Sequence, residues 1–170
     1  MPSLFMVMLG GRHAKAITEV HDVVMAIGDD VQEIIPQLKQ AWFGELKGLH
    51  IDAWAQFSGV QTQGVDYQIH FALAAPAVDE QKLYLINLGG YSANQFGELH
   101  RYHLVVATNT TQAKQIAKQL IPPEWGKPHT DRVIEVDDCI PIDHVAGRYV
   151  HLVKGLFKPI TWQNTYLPID

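Results

Sequence analysis

Shifted by 79 residues, the chain matches itself. Residues 4–60 set against 83–139 give 12 identities in 57 positions, and self-similarity at one fixed spacing restricts a chain to folds built from a repeated supersecondary unit. The identities are Leu4/Leu83, Leu9/Leu88, Gly10/Gly89, Gly11/Gly90, Ala14/Ala93, Glu19/Glu98, His21/His100, Lys39/Lys118, Gln40/Gln119, Glu45/Glu124, His50/His129 and Asp52/Asp131. A lone unit of about 80 residues sits near the lower limit for a self-sufficient core. The expectation is therefore an α+β fold in which two copies, related by a pseudo-twofold, share one globule.

Each copy reads as β-β-α-β-β. Leu4–Leu9 is a short apolar run ending in Gly-Gly, and Val20–Ile27 is rich in Val and Ile, as strands are. Asp30 and Glu33 have the spacing of a capping box. Val31, Ile34, Ile35, Leu38 and Trp42 then recur at helical spacing, with Pro36 predicting a kink or a late start. In the second copy Thr110 or Thr111 is the expected cap for a helix burying Ala113, Ile116, Ala117 and Leu120, stopped by Pro122-Pro123. Strands three and four are expected as a hairpin; Val65, Tyr67, Ile69, Phe71 and Leu73 alternate with polar neighbours, and 148–153 is the counterpart. The boundaries are 1–75 for the first repeat, 82–154 for the second, and 155–170 for an aromatic extension. That extension carries Phe157, Ile160, Trp162 and Tyr166, and is expected to dock on the body or on a partner subunit, making a homodimer.

Composition narrows the function classes. The net charge of −5 and the lack of a Lys/Arg run disfavour nucleic acid as a partner. Cys139 is the only cysteine, so no intramolecular disulfide can form, and a reducing cytoplasmic location is expected. Leu4–Leu9 lacks the cationic flank of a signal peptide and recurs in mid-chain at Leu83–Leu88. No apolar run approaches the roughly 20 residues of a membrane span.

Chemistry can reside in two words that occur twice. Gly-Gly-x7-Glu-x-His spans Gly10–His21 and Gly89–His100, and His-x-Asp occurs at His50–Asp52 and His129–Asp131. Strand residues two apart share a face, so Glu19 joins His21, and His50 joins Asp52. Each copy then offers two carboxylates and two imidazoles: Glu19, His21, His50 and Asp52 in the first, Glu98, His100, His129 and Asp131 in the second. Such a set suits zinc or manganese, or general acid–base work. The reading the sequence favours over a metal site is that these groups order a loop, since buried polar groups are paired whether or not they react. The Gly-Gly pairs fit no phosphate-binding motif and are read as turns that need positive φ. The first loop, with Gly10, Gly11, Arg12, His13 and Lys15, is the better anion candidate, because Tyr91, Ser92 and Asn94 follow Gly89 and Gly90 in the second. Cys139 reads as packing, and His70 and His151 as solvated.

The segments LFMVMLGGRHAKAITEVHDVV and LYLINLGGYSANQFGELHRYHLVVA, with LHIDAW, resemble the bacterial family catalogued as domain of unknown function 1543. The resemblance implies a two-copy member and carries no activity or catalytic residue with it. The reading adopted from the sequence is a non-enzymatic homodimeric binding or assembly module; the alternatives are a metal-binding protein or metal-dependent hydrolase, and a small-anion or metabolite binder.

Overall fold

In a computed structural model, residues 2–77, 80–125 and 135–170 are described, Glu135 in its backbone alone. The class is β-rich α+β, with three sheets of antiparallel strands. The chain divides into two compact units. The first holds the residues up to Gly59 with 145–148 and 156–170; the second holds 60–144 and 149–155.

The first unit is a sheet covered by one helix. Its strands are β1 (Ser3–Gly11), β2 (Val20–Gly28) and β3 (His50–Phe57), joined by the last strand of the chain, β11 (Thr161–Pro168), in the order β11-β3-β1-β2. Alternation sends Phe5, Val7 and Leu9 of β1 to one face, against Ile34 and Leu38 of α1 (Val31–Ala41). Leu167 packs against this core from β11, and Ile169 lies within it. Asp30 Oδ1 accepts from the N–H of Glu33 at 3.0 Å, and Glu33 Oε2 accepts from the N–H of Asp29 at 2.7 Å. The capping box therefore closes one residue earlier than its usual form. Pro36 lies inside a helix that starts on time at Val31.

In the second unit β6 (Lys82–Gly90) is flanked by β7 (Leu99–Ala107) and β8 (Glu135–Pro141), in the order β7-β6-β8. Helix α2 (Thr110–Lys118) buries Ala113, Ile116 and Ala117 against Tyr84, Ile86 and Leu88. Asn109, not a threonine, is its cap, accepting from the N–H of Gln112 at 2.9 Å. Leu120 lies beyond the helix and is 38% exposed.

The expected hairpin of strands three and four does not form. The strand after β3 turns back instead, as β4 (Gly59–Thr62) and β5 (Val65–Ala72), and β5 pairs with β10 (Arg148–Lys154), beside β9 (His144–Val145). Positive φ at Gln63 and Gly64, and again at Ala146 and Gly147, gives the tight two-residue turns that suit right-twisted hairpins. His70 and His151 face each other across β5 and β10, half-buried rather than freely solvated; His151 Nε2 lies 2.8 Å from the carbonyl of Ala74. Among the described residues, no helix is long and apolar enough to cross a membrane.

Candidate metal centre

Gly10 pairs with His21 on β2 and with His50 on β3, so the two imidazoles approach from either side of one glycine. Its amide belongs to a ladder, not to a turn, and neither Gly-Gly pair has positive φ. What the glycines supply is space. A Cβ on Gly10 would lie 2.6 Å from His50 Nε2 and would also strike Asp52 Oδ2; one on Gly11 would lie 2.9 Å from Trp42 Cζ2. The first glycine admits the polar cluster and the second admits a tryptophan.

Asp52 reaches the cluster through a β-bulge. Met8 pairs with Ala53 and Leu9 with Ile51, which leaves Asp52 as the extra residue of β3. A bulge re-aims the side chain it carries. His50 Nε2 lies 3.3 Å from Asp52 Oδ1 and 3.6 Å from Glu19 Oε2, while His21 Nε2 lies 3.1 Å from Asp52 Oδ2 and 3.2 Å from Glu19 Oε1. His50 is 2% exposed, whereas Glu19 and His21 open to solvent at 42% and 48%.

The tautomer of His50 follows from its other nitrogen. Nδ1 lies 2.9 Å from the carbonyl oxygen of Gly48, which can only accept, so Nδ1 carries a proton. Nε2 then faces two carboxylates. A charge-assisted N–H···O bond runs about 2.7–2.9 Å, shorter than all four distances above. Four ligand atoms about 2.0–2.1 Å from a tetrahedral zinc stand roughly 3.3 Å apart. Donor atoms of Glu19, His50 and Asp52 all lie within 4.8 Å of one another. Asp52 Oδ2 is buried and accepts no hydrogen bond among the described residues, although His21 is beside it.

A second, looser set stands on the other sheet. Gly89 pairs with His100, and a Cβ on it would lie 2.6 Å from Glu98 Oε1 and would strike Asp137. The third strand, however, aligns Val136 with Leu88 where Ile51 aligns with Leu9, an offset of 85 rather than 79. Asp137 is therefore the bulge residue here, and Glu135 takes the place opposite Gly89 that His50 takes opposite Gly10. The expected pair His129 and Asp131 lies outside the described residues. His100 Nδ1 is 3.4 Å from Asp137 Oδ2 and 3.1 Å from Asn87 Oδ1, with all of Glu98, His100 and Asp137 exposed. Sequence reasoning missed Asp137, although the Asp137-Asp138 pair was there to be weighed.

In the first loop, His13 stacks on Phe43 with ring centroids 5.7 Å apart, and its Nδ1 accepts from the N–H of Lys15 at 3.2 Å. Arg12 and Lys15 are exposed. A polar cleft of about 290 Å³ lies at the far end of β1, between Ser3, Asp29, Gln56, Ser58 and Lys158. Its groups bond one another, as Gln56 Nε2 does with Ser3 Oγ at 3.2 Å. Burial pushes the Cys139 thiol up, only partly opposed by Lys114, which leaves a neutral packing group rather than a nucleophile.

These features define an α+β protein with a carboxylate–imidazole cluster built over a strand glycine. The sequence model of the family Domain of Unknown Function (DUF1543) matches residues 16–71. All four residues of the first cluster lie within that stretch. A protein Il1583 from Idiomarina loihiensis, known from its crystal structure, is 28% identical, with a TM-score of 0.73 over 100% of this chain and 99% of that one. No curated protein matches.

Proposed function

We propose that the protein binds a divalent transition metal, zinc or manganese, at Glu19, His21, His50 and Asp52. The observation that carries this reading is the buried His50, which presents Nε2 to two carboxylates at 3.3 and 3.6 Å while the carbonyl of Gly48 holds Nδ1. Metal-binding histidines are typically oriented in this way by a hydrogen bond from the other ring nitrogen. The open side, at Glu19 and His21, would leave room for a metal-bound water, so the finer form of the reading is a metal-dependent hydrolase. Elemental analysis of the untagged protein is expected to find about one equivalent of zinc or manganese. Asp52→Asn should lose it with the circular dichroism spectrum unchanged. A metal-free protein whose melting temperature does not respond to added zinc or manganese would sink the idea.

The chain is read further as a tandem β-β-α-β-β duplication. The matching strand orders β2-β1-β3 and β7-β6-β8, each with a bulge aspartate on its third strand, support this. The second reading, a homodimeric assembly module, is favoured by β11. This edge strand holds no charged residue and exposes Trp162 at 67% and Tyr166 at 68%.

A further inference from the structure

Four contacts run from the last residues of the chain to the segment that aims His50. Strand β11 pairs with β3, but its register breaks between Asn164 and Leu167, opposite the Asp52 bulge. The break contains Tyr166, whose ring stands on the His50 imidazole with centroids 4.4 Å apart and planes 40° from parallel. Asp170 Oδ2 accepts from the N–H of Gly48 at 3.1 Å, and the N–H of Ile169 donates to the carbonyl of Leu49 at 3.0 Å. Gly48 has φ +80°, open to glycine and strained for most other residues. Its carbonyl is the acceptor for His50 Nδ1. One peptide group on each side of Gly48 thus connects the tail to the imidazole: the N–H is held by Asp170, and the C=O holds His50.

We infer that β11 and the residues after it are the outer shell of the metal centre, with Tyr166 and Asp170 as positioning residues, and that metal binding and tail docking are linked equilibria. The inference rests on the metal-binding reading above. Tyr166 blocks rotation of the imidazole from one side, and Asp170 fixes the turn that sets its tautomer. A ring free to turn, or a Gly48 carbonyl free to move, would present Nε2 to the carboxylates for only part of the time. Outer-shell partners of this kind typically change metal affinity by about 10–100-fold. Reciprocity follows from linkage: if docking of the tail strengthens metal binding, metal binding must hold the tail down by the same factor.

The test uses the full-length chain and zinc, or manganese in its place, titrated against a chromophoric chelator. Tyr166→Leu and Asp170→Asn should each weaken zinc binding by about tenfold or more, and Tyr166→Phe, which keeps the ring, should bind as the wild type does. Tyr166 is largely exposed, so its replacement leaves the core intact. In wild-type protein zinc should slow amide exchange across 163–167, and in Tyr166→Leu this protection should shrink. A role confined to packing would leave that zinc-dependent difference unmoved. Wild-type binding with unaltered variants, or β11 exchange indifferent to zinc, overturns the linkage and leaves the centre standing. A wild-type chain that binds neither zinc nor, in the same titration, manganese overturns the centre and the linkage with it.

Discussion

Glycine in a strand weakens it unless something occupies the space that a Cβ would take. Here Trp42 and Trp125 occupy that space above Gly11 and Gly90. The glycine pairs were plain in the sequence, but their reading as turns was not correct, because a sequence displays a missing side chain and not the neighbour that fills the gap. Trp42 comes from the end of α1, 31 residues away from Gly11. Gly11→Ala and Gly90→Ala are each expected to lose about 1–3 kcal/mol, the usual cost of overpacking, measured as a shift of the urea midpoint. A variant as stable as the wild type would mean that the tryptophan ring gives way freely. His103 was not singled out at all. It lies on β7 with Nε2 buried and unbonded among the described residues, and burial, then Arg101, holds its pKa below the ordinary imidazole value. The unfolded chain therefore takes up this proton first as pH falls. The stability that His103 supplies is complete above the unfolded-state value of about 6.5 and is lost on acidification toward the folded-state value. His103→Val should lose less stability than the wild type between about pH 7 and pH 5, and equal losses by chemical denaturation would refute the assignment.

At the scale of elements, local rules located the helices, and tertiary register decided the rest. Both helix starts use the reciprocal arrangement of a capping box. In the second, Asn109 accepts from Gln112, while Gln112 Oε1 accepts from the N–H of Thr108 at 2.7 Å. Threonines at 110 and 111 drew attention by residue type, but Asn109 holds the extended conformation a cap requires, with φ −157°. Asn109→Ala should cost about 1 kcal/mol, and Thr110→Ala, already inside the helix, markedly less; thermal melts of the two variants compare them directly, and the reverse order would contradict the cap. The cluster shows the same limit. Glu19, His21, His50 and Asp52 were legible as a polar set, but not as same-face strand pairs: Glu19 precedes β2 and Asp52 stands in the bulge of β3. The placement of Asp137 was not legible, because bulges and insertions shift register without any local signature in the residues themselves.

At the scale of the whole molecule, β11 stands at the edge of its sheet among the described residues. Proteins protect exposed edge strands with lysine, proline, bulges or inward charges. The strand Thr161–Pro168 has a register break near its end and a final proline, yet Thr161–Asn164 pairs regularly with β3 and carries no charge. Such a stretch can accept another strand, and a second copy of the same strand is self-complementary when it runs antiparallel across a twofold axis. In that arrangement each edge would contribute its unpaired backbone groups, and Trp162 would lose the exposure it has in a single chain. Lysine at position 163 would place two like charges close together across the axis, which opposes pairing without touching the core. Sedimentation analysis is therefore expected to show a dimer for the wild type and a monomer for Gln163→Lys, with zinc binding retained in both. A monomeric wild type at high concentration would remove the assembly reading and leave the metal centre as a property of the single chain. A dimer that survives Gln163→Lys would place the interface on another surface.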